Sequence, residues 1–435
     1  MKNTKRCLAW ILVLCLLVSV LPTHILAAEN TGKTSSLTAT ELPGVSRLED
    51  GEQTAAEETA QYADDEMVTV IVLMDDPAVM DYFGISSFNS ESNDLTAGEA
   101  VSGFLASDDA QALAQELMAE QETVIDQITS VTENAPAQGE TEVLAQWTGL
   151  INGVSVRMPY GQLEQVKNLS GVKAAYVEQT FDRPDEELGM ETQIGTAGYS
   201  YDLAGISSVW GAGYYGEGMV VAVLDTGLDL EYSTWGDSAN PQTGIRRVHE
   251  AFTEDSFRTA DGKLNVRYTE SAMKDLLEKT QLNANTGSEG QLLVYADNAL
   301  YKNRKVPFAF DYSAWDVNVR PEDGDHGTHV AGTIAGYAAT EEGEVTFSGI
   351  APDAQILAMK VFDDYGSSGS ETAILCALED AAVLGADVVN LSLGSDNGFA
   401  VEDTAAYYAY ASMRESGILF MISAGNSGNS SDKNN

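Results

Sequence analysis

From Met67 onward the chain carries a regular alternation of apolar and polar stretches, and that alternation predicts the elements. Met67 to Met74 is a β-branched run and reads as a strand. From Ala97 to Val131, Leu105, Leu113, Leu117, Val124 and Ile128 recur at helical spacing. Thr148 to Met158 reads as a strand pair or one long strand with Gly153 as a bulge, Tyr160 to Leu169 as a short helix, and Gly171 to Val177 as a strand. Strand, helix, strand, helix, strand is the order of a small α+β domain, assigned to 67–180. The acidic stretch from Thr180 to Gly198 carries Pro184, and 181–200 reads as a linker.

Beyond it the pattern changes. Met219 to Leu224, Ala354 to Phe362, Ala386 to Leu393 and Ile418 to Ser423 are near-continuous apolar runs, as expected of strands buried on both faces. Helical patterns at Gly327–Tyr337, Ser370–Leu384 and Thr404–Ser416 lie between or beside them. The expectation is an α/β domain over 201–435 with a doubly wound parallel sheet. The stretch at about 230–320 breaks the rhythm and is too long for a plain connection, so it reads as an inserted surface region.

The N-terminus adds a targeting signal. Lys2, Lys5 and Arg6 precede an apolar run from Leu8 to Leu21, with Ala27 and Ala28 after it, so 1–28 reads as a secretory signal peptide. Residues 29–66 carry ten acidic side chains against two basic ones and read as a flexible spacer. Of the three cysteines, Cys7 and Cys15 lie in the signal. Cys376 remains, and its helical surroundings suggest a small buried hydrophobe. The whole chain has 67 acidic and 23 basic side chains, a formal net charge of −44. Phosphate backbones and anionic membranes repel such a surface, which argues against nucleic-acid binding.

Candidate chemistry gathers at the strand ends, where sites in open α/β sheets lie. Asp225 ends the first apolar strand, Asn426 follows the last, and His326 opens the helix between them. A carboxylate beside an imidazole can fix its tautomer and stabilise the imidazolium, and an amide can donate to an oxyanion. Two other motifs compete. His326 and His329 share a helix face, but no His-Glu-x-x-His accompanies them. Gly211-Ala-Gly-Tyr-Tyr-Gly216 matches a nucleotide fingerprint but precedes its strand instead of following one.

Val223-Leu-Asp225-Thr-Gly227, His326-Gly-Thr-His-Val-Ala-Gly332, Val389-Asn-Leu-Ser-Leu-Gly394 and Ser423-Ala-Gly-Asn426 resemble, in order, the motifs of subtilisin-like serine peptidases. Gly349 to Phe362 looks most like the lactocepin-like, cell-envelope members of Gram-positive bacteria, and residues 67–180 resemble the inhibitor-type, ferredoxin-like propeptide of that family. The resemblance implies Asp225 as triad acid, His326 as general base and Asn426 as oxyanion donor. It implies Ser392, Leu393 and Gly394 as one edge of a peptide groove and Ser368, Gly369 and Ser370 as the other. It implies polypeptide substrates, the chain's own propeptide as a partner, no required cofactor, structural calcium as an option, and cell-wall association through further regions. The family nucleophile sits in Gly-Thr-Ser-x-Ala, and no Gly-Thr-Ser occurs in these 435 residues. The expectation is therefore an exported zymogen whose reading frame continues and whose sheet is here incomplete. The competing reading is an inactive fragment or a propeptide-type peptide-binding module.

Overall fold

The computed structural model describes residues 62–83, 95–133, 139–182, 201, 203–234, 245–258, 264–280, 282–285, 300–321, 325–364, 368–394 and 404–423. The signal, nearly all of the spacer, most of the linker, and Asn426 lie outside the described residues.

The N-terminal region starts with strand β1 (Met67–Met74), followed by helices α1 (Ala97–Leu105) and α2 (Asp108–Thr132). The pattern from Ala97 to Val131 predicts one helix. Two form because Ser107 is extended and its side chain accepts from Ala110 N, capping a fresh N-terminus. Strands β2 (Glu142–Trp147) and β3 (Gly153–Pro159), helix α3 (Leu163–Val166), and strands β4 (Val172–Val177) and β5 (Thr180–Asp182) follow. The strand pair lies earlier than its apolar pattern suggests, and Thr148 to Asn152 is the turn between β2 and β3. Gly153 pairs in register with Leu73 and is not a bulge; the register shifts fall at Leu73/Met74 and Val143/Ala145. The four strands form an antiparallel sheet of order β2-β3-β1-β4. One face of it closes on Val124, Ile128, Leu163 and Val166 from the helices.

The second region contributes α4 (Ile206–Gly211), β6 (Val220–Asp225), β7 (Glu231–Thr234), β8 (Ile245–Val248), α5 (Glu270–Lys279) and β9 (Phe308–Asp311). It continues through α6 (His326–Ala335), β10 (Tyr337–Ala339), β11 (Val345–Ser348), β12 (Gln355–Lys360) and β13 (Ser368–Ser370). Helix α7 (Glu371–Val383), β14 (Val388–Leu391), α8 (Ala405–Glu415) and β15 (Leu419–Ile422) complete it. The central sheet is parallel, in the order β15-β14-β6-β12-β9. Alternation along β6 splits its side chains between two faces: Val220, Ala222 and Leu224 pack with α7, and Val221 and Val223 pack with Ala331 and Ala335 of α6. Helices therefore cover both faces, as the buried apolar runs predict.

Two boundaries differ from the sequence expectation. The stretch at 230–320 is not wholly an insertion, because β9 at its end is an edge strand of the central sheet, paired with β12. The linker does not begin at 181, because Phe181 and Asp182 belong to β5, which pairs antiparallel with β13. In each case the partner strand lies far away in sequence, so local composition carries no trace of the pairing.

Candidate active site

Asp225 is the last residue of β6, and its register with Lys360 on β12 fixes its height in the sheet. Its side chain is 1 % exposed. Oδ1 accepts from Thr226 N at 2.7 Å and lies 2.7 Å from His326 Nδ1. An ionised carboxylate only accepts, so opposite a carboxylate at Asp225 the hydrogen of this contact sits on Nδ1 and Nε2 is left as an acceptor. The pair is held by close backbone approach. Gly227 has φ +121°, and a Cβ there would overlap Val319 O. A Cβ on Gly327 would likewise overlap Gly227 O. Thr226 Oγ1 accepts from Gly327 N at 3.0 Å, which ties the first turn of α6 to the end of β6. Two glycines and a threonine thus bring the imidazole against the carboxylate.

Ser368, Gly369 and Ser370 form β13, paired residue by residue with Asp182, Phe181 and Thr180. Phe181 is buried in the same cluster as Phe362, Leu391 and Leu393. Ser392 accepts from Asn390 Nδ2 at 3.0 Å, and Leu393 O lies 3.4 Å from Ser423 Oγ. Gly394 is half-buried at the end of the described run. The structure therefore brings Asp225 and His326 together and lays residues 180–182 along Ser368–Ser370. Asn426 is outside the described residues. Among the described residues, no three His, Cys, Asp or Glu side chains gather as a metal site. Gly213 and Gly216 take positive φ in the turn that leads into β6, whereas a phosphate fingerprint follows its strand and opens a helix.

Sequence reading missed a set of buried acids on α7. Glu379 accepts from three successive backbone amides of the β2–β3 turn: Gly149 N at 3.0 Å on Oε2, and Leu150 N at 2.7 Å and Ile151 N at 3.1 Å on Oε1. Burial pushes its carboxyl up to about 8 against the pull of those amides. Asp380 accepts from Asn283 N, Ala284 N and the Tyr312 hydroxyl, and burial raises it to about 6. At the start of α7, Thr372 N and Oγ1 donate to Glu178, and Gln179 N and the Tyr176 hydroxyl donate to Glu371. Burial raises both of these carboxyls. Trp147 Nε1 sits 3.2 Å from Cys376 Sγ, and burial pushes that thiol well up. The available signal was three acids in an otherwise apolar helix, Glu371, Glu379 and Asp380. A helix with no wet face must bury such acids against donors from elsewhere.

Residues 216–435 match the model of the subtilase family, Peptidase_S8. The PI-type proteinase of Lactococcus lactis subsp. cremoris is 30% identical over 287 residues, covering 65% of this chain and 12% of the relative. Minor extracellular protease Vpr of Bacillus subtilis is 25% identical over 293 residues, covering 66% of this chain and 28% of the relative. The chain thus spans about an eighth of the first relative's length. The crystal structure of the epidermin leader peptide processing serine protease of Staphylococcus aureus is 12% identical, with a TM-score of 0.40, over 83% of this chain and 61% of that one. Among the described residues no helix is long and apolar enough to cross a membrane. With more than half of its residues matched by the family model, the chain belongs to the subtilase family of serine-type endopeptidases.

Proposed function

We propose that this chain is part of an exported serine endopeptidase zymogen that hydrolyses polypeptides through an acyl-enzyme. The observation that carries the reading is the 2.7 Å Asp225–His326 pair. In the proposed mechanism His326 Nε2 takes the proton of an attacking serine hydroxyl, and Asp225 stabilises the imidazolium. Asn426 donates to the oxyanion. The imidazolium then protonates the leaving amine, and water attacks the acyl-enzyme with His326 again as base. The serine would come from a Gly-Thr-Ser-x-Ala segment, which these 435 residues do not contain.

Ser368–Ser370 and Ser392–Gly394 are the proposed edges of the groove, binding a substrate as an added β-strand. The pairing of β5 with β13 supports a propeptide whose tail covers one edge before maturation within 183–200. The order β2-β3-β1-β4, with helices between β1 and β2 and between β3 and β4, supports the ferredoxin-like reading of 67–180. Residues 1–28 as signal and 29–66 as spacer fit export. Cell-wall association through further regions is part of the same proposal.

The test is maturation of the natural gene product read past codon 435. His326→Ala should abolish propeptide self-cleavage while leaving secretion intact. Normal maturation of that variant, or a reading frame with no serine motif beyond Asn426, would defeat the proposal in favour of a peptide-binding module.

A further inference from the structure

Arg267 stands in the stretch at 230–320, far from Asp225 and His326 in sequence, yet its side chain is only 8 % exposed. Nη1 donates to Gly385 O at 2.6 Å. Nη2 lies 2.8 Å from Asp387 Oδ2, 2.9 Å from Thr96 Oγ1 and 3.0 Å from Gly218 O. Nε is 3.6 Å from Glu99 Oε1. Thr96 and Glu99 are the two members of the capping box that starts α1. One guanidinium therefore joins the peptidase sheet, the inserted stretch and the first turn of a propeptide helix.

The electrostatics explain why the contact can exist. A helix N-terminus carries partial positive charge and would repel an arginine. Asp387 stands between them: Oδ1 accepts from Gly98 N at 3.3 Å, and Oδ2 accepts from Val220 N at 2.9 Å as well as pairing with Arg267. Shape is equally restrictive. A Cβ on Gly98 would overlap Gly385 O, so only glycine lets α1 approach this loop. Ser102 Oγ donates to Val383 O at 2.6 Å, and Tyr268 OH donates to Leu384 O at 2.7 Å. The inserted segment is itself held to the peptidase, because Tyr268 N and O both bond the Gln355 side-chain amide.

This contact lies past the C-terminal end of α7, whereas the β5–β13 pairing lies at its N-terminal end. Thirteen helical residues separate them, roughly 20 Å. Two contacts on one rigid body raise each other's effective concentration.

Resting on the reading of 67–180 as a propeptide, we propose that Arg267 and Asp387 form a propeptide-recognition latch that receives residues 96–102 at a distance from the substrate groove. An extended substrate fills the groove but offers no capped helix start. The latch therefore distinguishes the chain's own propeptide from a substrate, and it holds the propeptide after its tail has been cut. Part of the inserted stretch thus serves to read the propeptide.

The test uses the full chain with a specific protease site placed within 185–190, nicked after folding. Separation of the two pieces is then timed by gel filtration and by intact mass. The nicked wild-type pair should stay together. Gly98→Ala should speed separation at least tenfold, although alanine favours a helix over glycine. Arg267→Ala should do the same, and the double variant should be no faster than either single one, because both remove the same contact. Phe181→Ala, which weakens only the tail, should add its effect to theirs. Wild-type pieces that part at once, or Gly98→Ala pieces that part at the wild-type rate, would overturn the latch. If Arg267→Ala fails to fold, Gly98→Ala decides alone, since it alters only the propeptide side. Self-cleavage in the complete gene product is scored separately, so a failed latch leaves the peptidase assignment standing.

Discussion

Replacing Glu379 with alanine tests how the propeptide-like region is held on α7. The substitution removes the acceptor of three buried amides, those of Gly149, Leu150 and Ile151. An unsatisfied buried donor costs about 1–3 kcal/mol. Three of them would cost about 3–9 kcal/mol if the turn stayed dry and rigid. Two effects reduce that figure. The space left by the side chain can admit water to some of the amides, and the penalty of burying a carboxyl held up to about 8 disappears. A net loss of about 2–4 kcal/mol is the expectation. Glutamine gives a graded control. With its oxygen at the Oε1 position it keeps Leu150 N and Ile151 N and turns an NH₂ toward Gly149 N. It should cost about 1–2 kcal/mol through one lost bond and one donor–donor clash. The assay is hydrogen exchange of the 149–151 amides alongside urea unfolding of the whole chain. In Glu379→Ala these three amides should lose protection ahead of their neighbours in β2 and β3. Unchanged protection with unchanged stability would refute the claim that this carboxyl anchors the turn.

The pH dependence has a definite sign. Glu379 and Asp380 are held up to about 8 and about 6 when buried, so their contribution is fully present below the ordinary carboxyl range and is lost as pH rises through those values. Thermal stability should therefore fall between about pH 5 and 8, and Glu379→Gln should flatten that fall; a wild-type-like slope in the variant would contradict the assignment. Gly227→Ala places a Cβ against Val319 O at φ +121° and should destabilise by about 1–3 kcal/mol. A melting temperature equal to wild type would show that the turn relaxes freely. Trp147→Ala should cost about 3–5 kcal/mol and expose Cys376 to thiol reagents, because the indole seals that sulfur. Labelling at the wild-type rate would show that other groups do the sealing.

Continuous apolar runs made β6, β12 and β14 legible, because a strand buried on both faces has no polar alternation to confuse it. The Asp225–His326 pair was legible too, since Asp225 ends one such strand and His326 opens the helix that follows the stretch at 230–320. The turn from Thr148 to Asn152 was not. Leu150 and Ile151 make it look like strand, and the apolar character is real because both are buried. It is a turn because Glu379 supplies the acceptors that a strand partner would otherwise provide. Strands β5 and β9 were missed for a related reason: short segments owe their conformation to partners on β13 and β12. Nothing local in the sequence marks Arg267, and its meaning appears only where Asp387, Gly385 and Thr96 converge on it.

The contacts across α7 also order events in time. Trp147 meets Cys376 across 229 positions of sequence, and Gly149 meets Glu379 across 230. The propeptide-like sheet is complete in sequence by Val177, while α7 begins only at Glu371. At a synthesis rate of roughly 5–20 residues per second, those intervening residues take on the order of 10–40 s to appear. For that interval the surface formed by Trp147, Leu150 and Ile151 has no partner, and its three turn amides have no carboxylate. Contacts of such long sequence separation form slowly in any case. The exposed interval is when a chain of this design is open to aggregation, and its large negative charge, shared by every copy, acts against association in the same period.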